Sequence, residues 1–204
     1  MEIIDKTANY YKLNAVDYFN STINIDLSLL YSNIEKYFTD KSGITLDCGC
    51  GSARDSAHLL RCGYTKIISM DLSFELLRAA RGNFENCILA NADYYNIPVK
   101  TGKIQYLLAN ASLLHIPKTQ IMDVLTELRR ILRMDYASRI YATFKLGAGE
   151  CYDERGRFFA YYSESEICGI FMNAGFKICT VNISESSDKR PIRWITVVAA
   201  LKIE

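Results

Sequence analysis

Residues 46–55, Leu46-Asp47-Cys48-Gly49-Cys50-Gly51-Ser52-Ala53-Arg54-Asp55, set the fold of this chain. The apolar run Ile44 to Cys48 predicts a short buried strand, and the residues from about Ser52 to Cys62 predict a helix. A strand that turns directly into a helix needs a tight turn free of side chains. Gly49 and Gly51 supply it and let the backbone approach a ligand closely. Asp71 follows Gly51 by 20 residues, at the end of the next predicted strand, Lys66 to Met70. A carboxylate placed there can accept hydrogen bonds from a ribose diol. A nicotinamide site requires G-x-G-x-x-G, whereas the glycines here are followed by Arg54, so no pyrophosphate cradle is indicated.

Outward from this turn, strands and helices alternate. Helices are expected around Phe74 to Arg81 and from about Lys118 to Leu132, the latter with Ile121, Leu125, Leu128 and Leu132 on one face. Further strands are expected at Cys87 to Ala90, Ile104 to Ala109 and Ser138 to Phe144. Ser163 with Glu166 forms a capping box that opens a helix to Ala174, and Gly175 ends it as a left-handed cap. Two closing strands, about Phe176 to Ile183 and Ile192 to Leu201, flank the polar segment SESSDKRP. The expected architecture is a doubly wound α/β fold, with a mostly parallel seven-stranded sheet and an antiparallel edge strand. The first 40 residues read as helical, with Leu27, Leu30, Ile34 and Phe38 on one face and Tyr10, Tyr11, Tyr18 and Phe19 ahead of them. We expect one domain over 1–204, residues 1–40 forming a helical lid and 41–204 the α/β core.

The chain has 204 residues, 50% of them apolar and 23% charged, as expected of a globular protein. Its formal charge of +1 provides no global field toward nucleic acid or anionic membrane. The N-terminus lacks the pattern of a secretory signal, no apolar run is long enough to span a bilayer, and seven scattered cysteines suggest free thiols. A cytoplasmic location is therefore expected. No metal is expected, because no second Cys or His pair accompanies Cys48 and Cys50 at ligand spacing.

The stretch LDCGCGSARDS resembles the first motif of class I S-adenosylmethionine-dependent methyltransferases, D-x-G-C-G-x-G. The likeness runs from Tyr10 to the end and is most specific in residues 46–56, 71–77, 92–93 and 110–117. The segments YYKLNA, SLLHIP and DERGRFFAYYSESE are similar to those of small bacterial methyltransferases of the tellurite-resistance type and their uncharacterised relatives. The resemblance implies S-adenosylmethionine as cofactor and a Rossmann-like fold. It places Asp47, Gly49 and Gly51 on the methionine and ribose side, Asp71 on the ribose hydroxyls and Leu72 against adenine. Asp93 would accept from the adenine amino group, with Ala92 or Tyr94 beside the ring. Asn110 and Ala111 would contact the methionine end, Tyr11 would belong to the lid, and Arg54 would lie at the cofactor. Two positions depart from the family pattern: Ala53 stands at the third glycine, and Met134-Asp135-Tyr136 replaces a Pro-Gly-Gly turn.

Methyl transfer from a sulfonium is a direct displacement, so alignment supplies much of the rate and a base is needed only for a protonated acceptor. His115 is the candidate base, because in open α/β sheets ligands bind beyond the carboxyl ends of strands. Residues 145–162 are the expected acceptor stretch, with Arg155, Arg157, Phe159, Tyr161 and Tyr162 offering guanidinium forks and aromatic faces. Arg157 and Tyr161 join His115 as candidate catalytic residues. The acceptor expected is a small molecule, anionic or aromatic, acted on by a monomer or homodimer away from membranes. Two competing readings are an RNA-modifying enzyme, using Arg129, Arg130, Arg133, Lys189, Arg190 and Arg193, and a non-catalytic cofactor-binding module. Asn110-Ala111-Ser112-Leu113 is not the Asn/Asp-Pro-Pro-Tyr type associated with amide and exocyclic-amine acceptors.

Overall fold

In the computed structural model, which describes residues 2–84, 86–186 and 192–203, the strands β1 (Thr45–Cys48) and β4 (Tyr106–Ala109) are buried at every position. Alternate residues of a strand face opposite sides, and both sides are covered. Leu46, Cys48, Leu107 and Ala109 enter a core shared with Val124, Leu125 and Leu128 of α6 (Ile121–Ile131) and Ile167 and Phe171 of α7 (Glu164–Asn173). Tyr106 and Leu108 enter a second core with Tyr31 and Ile34 of α3 (Ser28–Tyr37) and Leu59 of α4 (Arg54–Arg61). Phe38 stacks on Tyr106 there, with centroids 4.5 Å apart.

The parallel part of the sheet runs β3 (Ile88–Asn91), β2 (Ile67–Asp71), β1, β4 and β5 (Arg139–Leu146). The chain winds outward from β1 to β3, through α4 and α5 (Phe74–Asn83), then returns to β4 on the other side of β1. The carboxyl ends of β1 and β4 thus flank the switch point where such sheets hold ligands. Beyond β5, β9 (Arg193–Leu201) is antiparallel to both β5 and β8 (Phe176–Glu185). The antiparallel edge is therefore present, as is the doubly wound α/β fold.

Among the described residues the sheet contains nine strands where seven were expected. The additional pair, β6 (Glu150–Tyr152) and β7 (Phe158–Tyr162), forms a hairpin within the stretch read as acceptor recognition. Strand β4 ends opposite Ala142, which leaves one edge of Lys145 and Leu146 free, and Tyr161 and Tyr162 pair with them in parallel. The segment SESSDKRP falls partly outside the described residues, at 187–191.

Two local predictions from the sequence hold. Ser163 Oγ accepts from the Glu166 N–H, and the Glu166 carboxylate accepts from the Ser163 N–H. Gly175 has φ +86°. The turn before β5 is built without Pro-Gly-Gly by Asp135, whose Oδ1 accepts from the Ala137 and Ser138 amides and the Ser138 hydroxyl. At the amino end, α1 (Glu2–Leu13) meets α5 and β7, and α2 (Ala15–Thr22) meets α5. Thr7 Oγ1 accepts from the Phe158 N–H at 2.9 Å, tying α1 to the hairpin.

Candidate active site

A cavity of about 170 Å³ opens at the switch point. Its floor is the turn after β1, where Gly49 has φ +69° and Gly51 φ +53°. At Gly49 the absence of a side chain is a steric need, since a Cβ would stand 2.5 Å from Ser112 Cβ and 2.8 Å from the Tyr94 hydroxyl oxygen. Ala53 is also left-handed, at φ +55°, a conformation that costs an L-residue about 1–2 kcal/mol.

The walls come from the strand ends. Asp71 Oδ2 accepts from the Gly51 N–H at 2.7 Å, and its Oδ1 accepts from the Ser73 N–H at 2.8 Å. Burial raises its carboxyl above the usual range, partly opposed by these amides. Leu72 is exposed along the same wall, and Ala92, Asp93 and Tyr94 continue it after β3. The Tyr94 and Ser112 hydroxyls meet at 2.8 Å and both reach the Cys48 carbonyl.

Asn110 belongs to a buried polar relay. Its Nδ2 donates to Asp55 Oδ2 at 2.8 Å, and its Oδ1 accepts from the Thr143 hydroxyl at 2.8 Å. Thr143 Oγ1 accepts from the Ala111 N–H. Asp55 Oδ1 accepts from the Tyr31 hydroxyl and from Arg54 Nε, while Arg54 also donates to the Thr22 carbonyl. Burial alone would raise the Asp55 carboxyl. Arg54 and the donors Asn110 and Tyr31 outweigh that, and the net shift is down.

His115 follows β4 in a 3-10 turn, Leu113–His115. Its Nδ1 lies 2.6 Å from the Phe158 carbonyl, which can only accept, so the proton resides on Nδ1. Nε2 is then an acceptor, and the Tyr11 hydroxyl donates to it at 2.9 Å. Burial lowers the His115 pKa to about 4, with Arg157 and Lys145 pushing the same way and the Phe158 carbonyl opposing. Burial also holds Tyr11 well above the ordinary phenol value, which keeps it a donor.

A second cavity, of about 280 Å³, adjoins the first. Tyr11, Tyr18, Thr22, Arg54, Asn110, Ala111 and His115 line both. Tyr37, Tyr141, Phe159 and Trp194 give it aromatic walls, and Lys145 and Arg157 bring cations to it. Lys145 Nζ lies 3.4 Å from the Phe159 ring centroid, and Arg157 is paired with Asp153 at 2.6 Å.

The structure thus gathers Tyr11, Gly49, Gly51, Arg54, Asp71, Leu72, Ala92, Asp93, Asn110, Ala111 and His115 around the first cavity, and Arg157 at the second. Two expected residues stand elsewhere. Asp47 lines neither cavity. Because Leu46 and Cys48 face one core, strand alternation turns Asp47 toward α4, where at 2% exposure it accepts from the Ser56 hydroxyl at 2.6 Å. Tyr161 also lines neither cavity; it shares a face of β7 with Phe159 but sits one step farther along, against Gly147. Sequence reasoning did not assign Asp55, Tyr18 or Ser112 a role. Asp55 lay inside the deciding stretch, but a carboxylate in the first turn of a helix reads equally as a partner of the helix dipole.

Residues 45–135 match the family model described as "Methyltransferase domain". No curated protein matches the chain. Among solved structures, the 1,6-didemethyltoxoflavin-N1-methyltransferase of Burkholderia thailandensis, with bound 1,6-didemethyltoxoflavin and S-adenosylhomocysteine, superposes with a TM-score of 0.82 at 16% identity. That superposition covers 99% of this chain and 90% of that one. The magnesium protoporphyrin IX methyltransferase of Synechocystis, with bound S-adenosylmethionine, gives 0.75 at 14% identity, over 98% and 97%. The [4+2]-cyclase SpnF gives 0.70 at 13% identity, over 86% and 81%. The chain shares the fold of these structures, and residues 45–135 within it match the methyltransferase-domain model.

Proposed function

We propose that this chain binds S-adenosylmethionine in the first cavity and transfers its methyl group to a small aromatic acceptor held in the second. The observation that carries this reading is the wall common to both cavities, in which Asn110, Ala111 and His115 face each of them. Bound there, the cofactor supplies an electrophilic methyl group on a sulfonium. The residues fit it: the turn at Gly49 leaves backbone uncovered, Asp71 offers carboxylate acceptors for a ribose diol, and Leu72, Ala92 and Tyr94 offer apolar and aromatic surface for adenine. Asp93 lines the same cavity and in this reading accepts from the adenine amino group. Tyr11 and Tyr18, on the two amino-terminal helices, exclude water from the junction; residues 1–40 act in this reading as a lid on a single domain.

The protein's contribution to the transfer is alignment. His115 Nε2 is a neutral acceptor at the junction and receives a proton from the acceptor once Tyr11 yields its place. With a pKa near 4 it is a weak base. It therefore suits an acceptor whose own proton is acidic, such as a phenol or ring N–H made more acidic by the Lys145 ammonium. The flat heterocycle bound by the Burkholderia neighbour supports an aromatic acceptor. The RNA reading loses support because Arg130 pairs with Glu127 and Arg133 with Asp135; Lys189 and Arg190 lie outside the described residues.

Calorimetric titration with S-adenosylmethionine and S-adenosylhomocysteine tests this proposal. Asp71→Ala removes a charged hydrogen-bond acceptor and is expected to weaken binding by about 2–3 kcal/mol, on the order of a hundredfold. A folded wild-type protein that binds neither ligand would overturn the reading. Cofactor binding without methylated product across anionic and neutral aromatic acceptors would reduce it to a binding module.

A further inference from the structure

On the side of the sheet opposite α6, Glu35 of α3 meets His58 of α4 and Cys62 at the end of that helix. One donor atom from each, a carboxylate oxygen, an imidazole nitrogen and the thiol sulfur, lie within 4.8 Å of one another. All three residues are half-buried. His58 and Cys62 are four residues apart, which places them on the same face of the helix. The Cys62 sulfur stands 3.2 Å from His58 Nε2. Two ligands of a tetrahedral zinc ion, at Zn–S of about 2.3 Å and Zn–N of about 2.0 Å, stand about 3.6 Å apart, so a small rotation of either side chain opens the space required.

We propose that Glu35, His58 and Cys62 form a three-ligand site for a borderline-soft divalent cation, Zn²⁺ by the chemistry of its donors. Thiolate and imidazole together select such an ion over Mg²⁺ or Ca²⁺, and three protein ligands leave a fourth position for water. Binding transfers the Cys62 thiol proton to solvent as the S–metal bond forms, so the two anionic ligands balance the cation's charge. The His58 ring is already held in place: Tyr31 stacks on it at 3.6 Å between centroids and 9° between planes. That same Tyr31 donates its hydroxyl to Asp55 at 2.8 Å, so the site abuts the relay behind Asn110 without belonging to either cavity. Two local cations oppose the metal: Arg61, whose charge acts on His58 and Cys62, and Lys41. The Lys41 ammonium lies 3.7 Å from the Glu35 carboxylate, but it also donates to the Cys62 carbonyl at 2.7 Å, where it can remain when Glu35 turns to a metal.

The test is titration of the metal-free, reduced full chain with Co²⁺, followed by displacement with Zn²⁺. One equivalent is expected to produce a thiolate-to-cobalt absorption band that Zn²⁺ abolishes. Cys62→Ser should remove the band, and Glu35→Gln or His58→Gln should keep it while weakening binding more than about tenfold. Lys41→Met should tighten binding. Absence of the band in the wild-type chain, its survival in Cys62→Ser, or unchanged affinity in both Glu35→Gln and His58→Gln would overturn the site. The last two variants decide the matter should Cys62→Ser not fold.

Discussion

Asp55 ties three elements of the site together. It accepts hydrogen bonds from Tyr31, Arg54 and Asn110. The carboxyl is 10% exposed and its Arg54 partner 19%, so neither charge has bulk water to fall back on. Removing one member of such a pair leaves the other charge buried and uncompensated, which costs about 3 kcal/mol or more. Asp55→Ala is accordingly expected to lower the free energy of urea unfolding by about 3 kcal/mol, and to weaken cofactor binding by releasing Asn110. Asp55→Asn preserves the shape but not the charge and should lose less of both. If Asp55→Ala unfolds at the wild-type midpoint, the ion pair is not holding the site.

At the scale of elements, the two ends of α7 follow the sequence closely. The capping box of Ser163 and Glu166 satisfies two amides that would otherwise lack partners at the start of the helix. Ser163→Ala should cost about 1 kcal/mol in urea unfolding while leaving cofactor binding intact, because α7 lines neither cavity. A loss of binding in this variant would mean that α7 positions the site through the core. The hairpin of β6 and β7 is an element the sequence did not announce. Its residues carry the aromatic and charged pattern read as a recognition loop, yet β5 outruns β4 and presents an edge that the hairpin occupies. This pairing places Phe159 in the second cavity and holds Tyr161 away from it.

Across the whole molecule, two buried groups give stability opposite dependences on pH. His115 is held near 4 against an ordinary 6.5, so as pH falls from about 6.5 the unfolded chain takes up a proton that the folded chain refuses. Stability is lost through that window down to about pH 4, by about 3 kcal/mol at most. Asp47 is pushed up to about 7, by burial first and then by the charges of Asp55 and Asp71. Between about 4 and 7 the folded chain keeps a proton that the unfolded chain releases, so stability falls as pH rises. The two trends oppose each other in wild type. Relative to wild type, Asp47→Asn is expected to gain stability progressively from pH 4 to pH 7, while His115→Gln loses its acid sensitivity between pH 6.5 and pH 4. Parallel curves for the variants and wild type, measured by urea unfolding at half-unit pH steps, would contradict both assignments.

The alternation of short apolar runs with helical periods was enough to determine the doubly wound sheet, because strand and helix periods are local properties of the chain. The turn at Gly49 and Gly51, the acid at Asp71 and the cap of α7 were legible for the same reason: backbone conformation and capping depend on residues close in sequence. What a side chain faces depends on what is packed beyond its own element. Asp47 sits in the deciding motif, yet strand alternation turned it from the cavity toward Ser56. His115 and Tyr11, 104 residues apart, meet only because α1 crosses the carboxyl ends of the strands. The metal-competent group stayed hidden for a similar reason, since Glu35 approaches His58 and Cys62 from a different helix and no linear spacing records it. The sequence by itself determined the framework and the glycine turn after β1, where the interactions are local. Only the tertiary structure decided which polar side chains share a wall, because that is set by long-range packing.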